Sequence, residues 1–115
     1  MRNISIGSII VLNALSIGTA LAADAVPAQK GKELYDYWCS MCHDDGPGHP
    51  GTNALKAKYG NDLPALLEER TDLTSDTVEY FVRNGISIMP FFRKTEISDA
   101  DLVLLGTYLS RNTPK

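Results

Sequence analysis

The sequence contains few of the side chains that bind metals or carry out thiol chemistry. Its 115 residues include only two cysteines and two histidines, and all four lie between Cys39 and His49. Positive charge is also in short supply, since 11 lysine and arginine residues stand against 14 aspartate and glutamate residues. Nucleic-acid-binding domains need a basic surface, so this balance argues against DNA or RNA as a partner. Any metal or redox site must therefore be centred on one short segment.

Long apolar runs are absent except at the N-terminus. Residues 4–21 are mostly apolar and uncharged, Arg2 precedes them, and Ala20 and Ala22 have the spacing that signal peptidase recognises. We therefore predict a signal peptide at residues 1–22, cleaved after Ala22, which exports the chain to the periplasm. An uncleaved membrane anchor is the alternative, because the run is nearly long enough to span a bilayer. After cleavage, ten basic residues face fourteen acidic ones and the formal net charge changes from −3 to −4. No membrane segment is expected to remain.

The rest of the chain has the pattern of short helices. Apolar residues recur every three or four positions, and glycine, proline and capping residues mark the ends of each segment. Helices are predicted at residues 30–42, 55–59, 63–70, 74–84 and 98–110. Loops are predicted at residues 44–52 and 86–96. We predict one all-α domain at residues 30–112, with four or five short helices, preceded by an N-terminal tail at residues 23–29.

Both cysteines belong to the segment WCSMCH at residues 38–43, which fits three kinds of site. A zinc site is disfavoured, because both histidines follow the cysteines too closely for the usual separation of the two ligand pairs. A thiol–disulfide oxidoreductase using Cys39 and Cys42 is the second interpretation, since tryptophan before Cys-x-x-Cys is typical of thioredoxin-like proteins. The motif of those proteins follows a β-strand, however, whereas the residues before Cys39 have helical spacing.

The third interpretation is a c-type haem, whose attachment pattern is Cys-x-x-Cys-His. Two thiols three residues apart lie on one helical turn, where each can add across a vinyl group and form a thioether bond. The imidazole of His43 follows directly and becomes the proximal iron ligand. We predict one haem c, bound covalently through Cys39 and Cys42. The free nitrogen of His43 is expected to donate to the carbonyl of Pro47 or Pro50, and the sequence does not choose between them.

The sixth iron ligand decides what such a haem can do. A second protein ligand makes an electron carrier, whereas an open position allows gas binding or peroxide chemistry. His49 is too close to the proximal side, and Met41 lies inside the attachment motif. Met89 lies far along the chain in a loop that Pro90 stiffens, which suits a ligand delivered from the opposite side. We predict His43 and Met89 as the two metal ligands.

The motif at residues 39–43, together with Met89-Pro90 before the last helix, resembles class I cytochromes c. Gly31 and Tyr35 on the first helix, and the apolar face of the last helix, look like the contact between the N-terminal and C-terminal helices of that family. The resemblance implies a small cytochrome c fold built around one covalently bound haem. It also implies electron transfer, not catalysis by this chain alone.

A closer resemblance concerns three segments, which are GPGHPG at residues 46–51, ERTDLT at 69–74 and FVRNGISIMPFFRKTEISDADL at 81–102. They look like the small cytochrome subunits of flavocytochromes that oxidise para-alkylphenols, such as 4-cresol dehydrogenase (methylhydroxylating) and eugenol hydroxylase. This resemblance implies a flavoprotein dehydrogenase subunit as electron donor and a downstream periplasmic electron acceptor. A free, diffusible periplasmic cytochrome c is the alternative with the same chemistry.

Two further expectations concern side chains near the haem. Arg70 and Arg83 could pair with haem propionates, although surface charge is the simpler role for each. Phe91 and Phe92 closely follow Met89. We expect one of them to pack on the haem and the other to belong to a docking patch around the haem edge.

Overall fold

The structure is a computed structural model that describes residues 20–115, with side chains from Ala25 onward. Five α-helices form in this part of the chain: α1 Ala20–Trp38, α2 Ser40–His43, α3 Pro50–Tyr59, α4 Ser75–Asn84 and α5 Asp99–Leu109. A 3-10 turn lies at Leu67–Glu69, and the β-type pairing of these residues is limited to an isolated bridge between Ile86 and Met89. The predicted all-α fold is confirmed. No helix within residues 20–115 is both long and apolar enough to cross a membrane.

The N-terminal helix starts earlier than predicted. α1 begins at Ala20 and runs through residues 23–29, the predicted tail, including Pro27. Alanine occupies four of the seven positions from 20 to 26 and is the strongest helix former, which explains the extension. Pro27 lies inside this helix. Proline lacks the amide proton that an interior position uses and fits better in the first turn of a helix. The predicted signal peptide at residues 1–22 lies outside the described residues, apart from the helical backbone of its last three, and stays a prediction.

Two other predicted boundaries are wrong. The loop predicted at residues 44–52 ends early, because α3 begins at Pro50. Proline suits the first helical position, where an amide proton would have no helical partner. The helix predicted at residues 63–70 is reduced to the 3-10 turn. Pro64 disfavours helical backbone at the residue before it, and Leu66 is extended, with φ −74° and ψ 123°.

Helices α4 and α5 begin where the sequence predicts. Thr74 Oγ1 accepts a hydrogen bond from the Thr77 amide at 3.1 Å, and Ser98 Oγ accepts one from the Asp101 amide at 3.1 Å. Each cap satisfies an amide that the first helical turn leaves without a partner. Gly85 ends α4 with a φ of 67°, which favours glycine. The loop between α4 and α5 carries Met89. The end of α4 at Gly85 and the cap of α5 at Ser98 fix the two ends of this loop.

The core forms where α1 and α4 pack against α5. Gly31 permits the close approach of α1, because a Cβ there would lie 2.5 Å from Tyr108 Cβ and 2.6 Å from the Leu104 carbonyl oxygen. The rings of Tyr35 and Tyr108 lie 6.1 Å apart in the same contact. The Tyr35 hydroxyl donates to the His43 carbonyl at 2.9 Å, so the core directly supports α2. The buried apolar side chains are Tyr35, Leu73, Val78, Val82, Ile97, Leu102, Leu105, Tyr108 and Leu109.

Replacing Gly31 by alanine is expected to lower the free energy of unfolding by about 2 kcal/mol. Alanine improves helix propensity by about 1 kcal/mol, but overpacking costs about 1 to 3 kcal/mol. The upper end applies here, because the backbone carbonyl of Leu104 cannot rotate away. Urea unfolding of the holoprotein measures the change. Gly48→Ala is the control, since nothing lies within 4 Å of a Cβ at Gly48. Equal stability of the two variants would contradict the close approach of α1 and α5.

Candidate haem site

The attachment segment begins where α1 ends. Cys39 interrupts the helix predicted at residues 30–42, and α2 starts afresh at Ser40. The Cys39 carbonyl accepts hydrogen bonds from the amides of Cys42 at 3.1 Å and His43 at 2.9 Å. Cys39 is half-buried against the core, Cys42 is exposed, and neither forms a disulfide. One tight turn therefore groups two free thiols and an imidazole.

The environment of Cys39 does not suit thiol–disulfide exchange. Burial, and to a lesser extent the neighbouring Cys42, raises the pKa of the Cys39 thiol to about 12. Exchange needs a thiolate, and catalytic cysteines have lowered pKa values. Residues 20–115 also lack the β-strand that precedes such a motif in thioredoxin-like proteins. Both observations argue against an oxidoreductase that uses Cys39 and Cys42.

His49 contacts the backbone of the attachment segment. Its Nδ1 lies 3.0 Å from the carbonyl oxygens of both Ser40 and Met41. The Ser40 carbonyl already accepts from the Asp44 amide at 3.0 Å, whereas the Met41 carbonyl belongs to the last turn of α2, where a nearby histidine commonly supplies a donor. Sequence reasoning missed this role, although the position of His49 shortly after α2 is a signal for it. In the described part of the chain, no group of three or more His, Cys, Asp or Glu side chains is arranged to hold a metal ion.

The His43 ring is half-buried, and its Nδ1 is fully enclosed. Burial lowers the pKa of this imidazole, which favours the neutral form that can bind iron. Gly51 lies against it, since a Cβ there would stand 2.6 Å from His43 Cε1 and 2.8 Å from Nδ1. Neither Pro47 nor Pro50 accepts the expected hydrogen bond. The Pro47 carbonyl accepts from Asn53 Nδ2 at 2.9 Å, Pro50 opens α3, and His43 Nδ1 has no hydrogen-bonding partner among the described residues.

Met89 is half-buried at the end of a tight turn. The Ile86 amide donates to the Met89 carbonyl at 3.1 Å, and the Met89 amide donates to the Ile86 carbonyl at 2.9 Å. The loop returns to α4, because the Phe92 amide donates to the Val82 carbonyl at 2.7 Å. Arg83 Nη1 donates to the Phe92 carbonyl at 3.1 Å. The backbone beside the Met89 thioether is therefore held against α4.

Replacing Gly85 by alanine is expected to displace the Met89 turn and lower the reduction potential of the haem. A Cβ at Gly85 would lie 2.6 Å from the Met89 carbonyl oxygen and 2.9 Å from the Phe91 amide. Redox titration and urea unfolding measure the effect. Gly60→Ala is the matched control, because Gly60 also has a positive φ, 56°, but no atom within 4 Å of its Cβ. Backbone strain costs about 1 to 3 kcal/mol in either variant. Only Gly85→Ala should also change the potential. An unchanged potential in this variant would contradict ligation of the haem by Met89.

The two arginines considered for haem propionates are engaged by protein groups. Arg70 is only 5 % exposed and donates from Nε and Nη2 to the Asp72 carboxylate, both at 2.6 Å. Its guanidinium also lies 4.7 Å from the centre of the Tyr59 ring. Arg83 donates to Asp99 Oδ1 at 2.9 Å, in addition to its bond with the loop after Met89. Both side chains therefore stabilise the segments around the site.

The residues present fit a haem c. The turn at residues 39–43 offers two free thiols and an imidazole, and Met89 offers a thioether. The apolar side chains of Ile86 and Ile88, on the Met89 turn, are exposed. Exposed apolar side chains beside a candidate ligand are compatible with a bound apolar molecule. A porphyrin is such a molecule.

Residues 26–109 match the family described as Cytochrome C oxidase, cbb3-type, subunit III. The chain belongs to this family. The match includes both the turn at residues 39–43 and Met89, and it supports a class I c-type cytochrome. The cytochrome is therefore an electron-transfer haem protein whose cofactor is haem c. No curated protein and no solved structure gives a significant match to the chain.

Proposed function

We propose that this cytochrome carries electrons in the periplasm through one haem c, bound covalently by Cys39 and Cys42 and ligated by His43 and Met89. The observation that carries the proposal is the turn that groups both free thiols with the half-buried imidazole. When bound, the haem supplies an iron that takes up and releases one electron. The protein supplies the attachment, the axial ligands and the enclosure of the His43 ring.

Ligation by Met89 favours electron transfer over catalysis at the iron. If Met89 ligates the iron, its thioether would leave no position open to small molecules and would raise the reduction potential relative to two nitrogen ligands. The Met89 loop is bonded to α4 through Phe92 and Arg83. A loop held in this way keeps the ligand set the same in both oxidation states. The cytochrome then acts as an electron-transfer subunit and has no activity of its own.

The proposed donor is a flavoprotein subunit that oxidises para-alkylphenols, and a downstream periplasmic protein accepts the electron. The sequence resemblance of residues 46–51, 69–74 and 81–102 supports this partner. Phe91 is 60 % exposed, whereas Phe92 packs edge-on against Trp38 with ring centres 5.7 Å apart. The exposure of Phe91, next to the packed Phe92, supports a docking patch that contains Phe91.

Co-purification tests the partner. The full chain carries a C-terminal tag, is expressed in its native host and is isolated from the periplasm at moderate salt. The visible spectrum of the eluate and the size of each eluted chain are recorded, with the untagged strain as control. We expect reducible c-type haem together with flavin absorption on a larger chain.

The other outcomes separate the parts of the proposal. Haem that elutes alone would support a diffusible periplasmic cytochrome and count against the flavoprotein partner. An eluate without colour would contradict the haem itself. If flavin is present, reduction of the haem on addition of a para-alkylphenol tests the substrate class.

A further inference from the structure

Two buried side-chain atoms in the described part of the chain lack any hydrogen-bonding partner, His43 Nδ1 and Thr52 Oγ1. Thr52 is itself only 6 % exposed and lies in the first turn of α3. Buried polar groups are almost always hydrogen-bonded, so each exception needs a physical explanation. Here one atom is a ring nitrogen that donates when protonated, and the other is a hydroxyl oxygen that accepts.

The two unpartnered atoms belong to neighbouring parts of the structure. Gly51, which directly precedes Thr52, lies against the His43 ring, with its Cβ position 2.8 Å from Nδ1. Consecutive Cα atoms are about 3.8 Å apart, so the backbone of Thr52 lies near the ring as well. The carbonyl of Pro47 is already used by Asn53 Nδ2, and that of His49 by the Asn53 amide. Thr52 Oγ1 is the buried side-chain acceptor in this region that has no other use.

We propose that Thr52 Oγ1 accepts from His43 Nδ1–H through one buried water molecule, which donates to the hydroxyl oxygen. The proposal rests on the proposed function, in which the other ring nitrogen of His43 binds iron. An acceptor on the free nitrogen of a ligating histidine fixes the ring orientation and raises the basicity of the ligand. Thr52 is thus a positioning residue that acts through His43. A more basic ligand favours ferric iron, so this hydrogen bond lowers the reduction potential of the haem.

The test compares Thr52→Val, which removes the hydroxyl at nearly constant shape, with Thr52→Ser, which keeps it. Redox titration of the holoproteins should show that Thr52→Val raises the equilibrium constant of reduction roughly two- to tenfold, the effect of one hydrogen bond. This equals a rise of about 20 to 60 mV for a one-electron couple. Thr52→Ser should retain the wild-type potential. Thr107→Val is the control, because the Thr107 hydroxyl bonds to its own helix at Val103, and it should leave the potential unchanged.

Urea unfolding is the second measurement. The sign of the change in stability of Thr52→Val shows whether the Thr52 hydroxyl bonds to His43 or has no partner. A buried hydroxyl without a partner is unfavourable, so its replacement by valine would leave stability unchanged or raise it. If Thr52 bonds to His43, Thr52→Val instead leaves Nδ1 without a partner and lowers stability. An unchanged potential together with unchanged or raised stability would overturn the proposal while leaving the proposed function intact. A wild-type protein without covalent haem would contradict the proposed function, and the stability comparison would then decide the role of Thr52.

Discussion

Replacing Cys39 and Cys42 together by alanine is expected to abolish covalent haem binding. These are the only cysteines of the chain, so they provide its only possible thioether bonds. Without them, a haem would be held by axial ligands and apolar contacts alone. Acid–acetone extraction removes such a haem but leaves a thioether-bound one on the protein. The measurement is the visible absorbance of the denatured protein after extraction, which should fall from one haem per chain to none.

Met41→Ala is the matched control for the double variant. Met41 lies between the two cysteines and is 80 % exposed, so its replacement should leave the haem content unchanged. A double variant that keeps its colour through extraction would refute thioether attachment. A colourless wild-type protein with two titratable thiols would instead revive the thiol–disulfide oxidoreductase, despite the raised pKa of Cys39.

Replacing Met89 by alanine is expected to lower the reduction potential and open the sixth iron position. Axial ligands move haem potentials over a range of about 0.8 V, and methionine lies toward the positive side of that range. We expect a decrease on the order of 0.1 V or more when a water molecule takes the place of the thioether. Redox titration measures the potential, and the ferric visible spectrum reports the change of ligand.

The control for this prediction is again Met41→Ala, since it makes the same chemical change on the proximal segment. It should leave both the potential and the ferric spectrum as in the wild type. If Met89→Ala behaves in the same way as Met41→Ala, the sixth ligand is not Met89. The open-site alternative, with gas or peroxide chemistry at the iron, would then be the stronger interpretation.

The elements that depend on local chemistry could be predicted from the sequence. Thr74 and Ser98 are capping residues directly before apolar periodic segments, and both cap as predicted. Gly85 occupies the positive φ that ends α4. The place of Gly31 against α5 followed from the family resemblance, because no local pattern shows which distant helix a glycine will meet.

The elements that the sequence predicted wrongly depend on competing effects. The tail predicted at residues 23–29 is helical, because the alanines before residue 27 extend α1 through Pro27. The loop predicted at residues 44–52 includes Pro50, but this proline occupies the first position of α3, which suits proline. At residues 63–70, apolar spacing predicted a helix, but the extended backbone of Leu66 leaves only a 3-10 turn.

The candidate site also contains features that the sequence predicts and features that it does not. The grouping of Cys39, Cys42 and His43 follows from their spacing on one turn, so the sequence was sufficient for it. The surroundings of the His43 ring depend on how α3 packs against α2, and no motif encodes them. The contact with Gly51 and the unpartnered hydroxyl of Thr52 therefore required the structure. The haem bonds themselves stay predictions.

The intact mass of the protein purified from the periplasm tests the central claim most directly. The account predicts a polypeptide of residues 23–115 plus one haem, in a denatured sample from which a non-covalent cofactor is lost. This single value reports cleavage after Ala22, covalent attachment and the number of haems. The mass of the bare polypeptide, with both thiols free or joined in a disulfide, would contradict it.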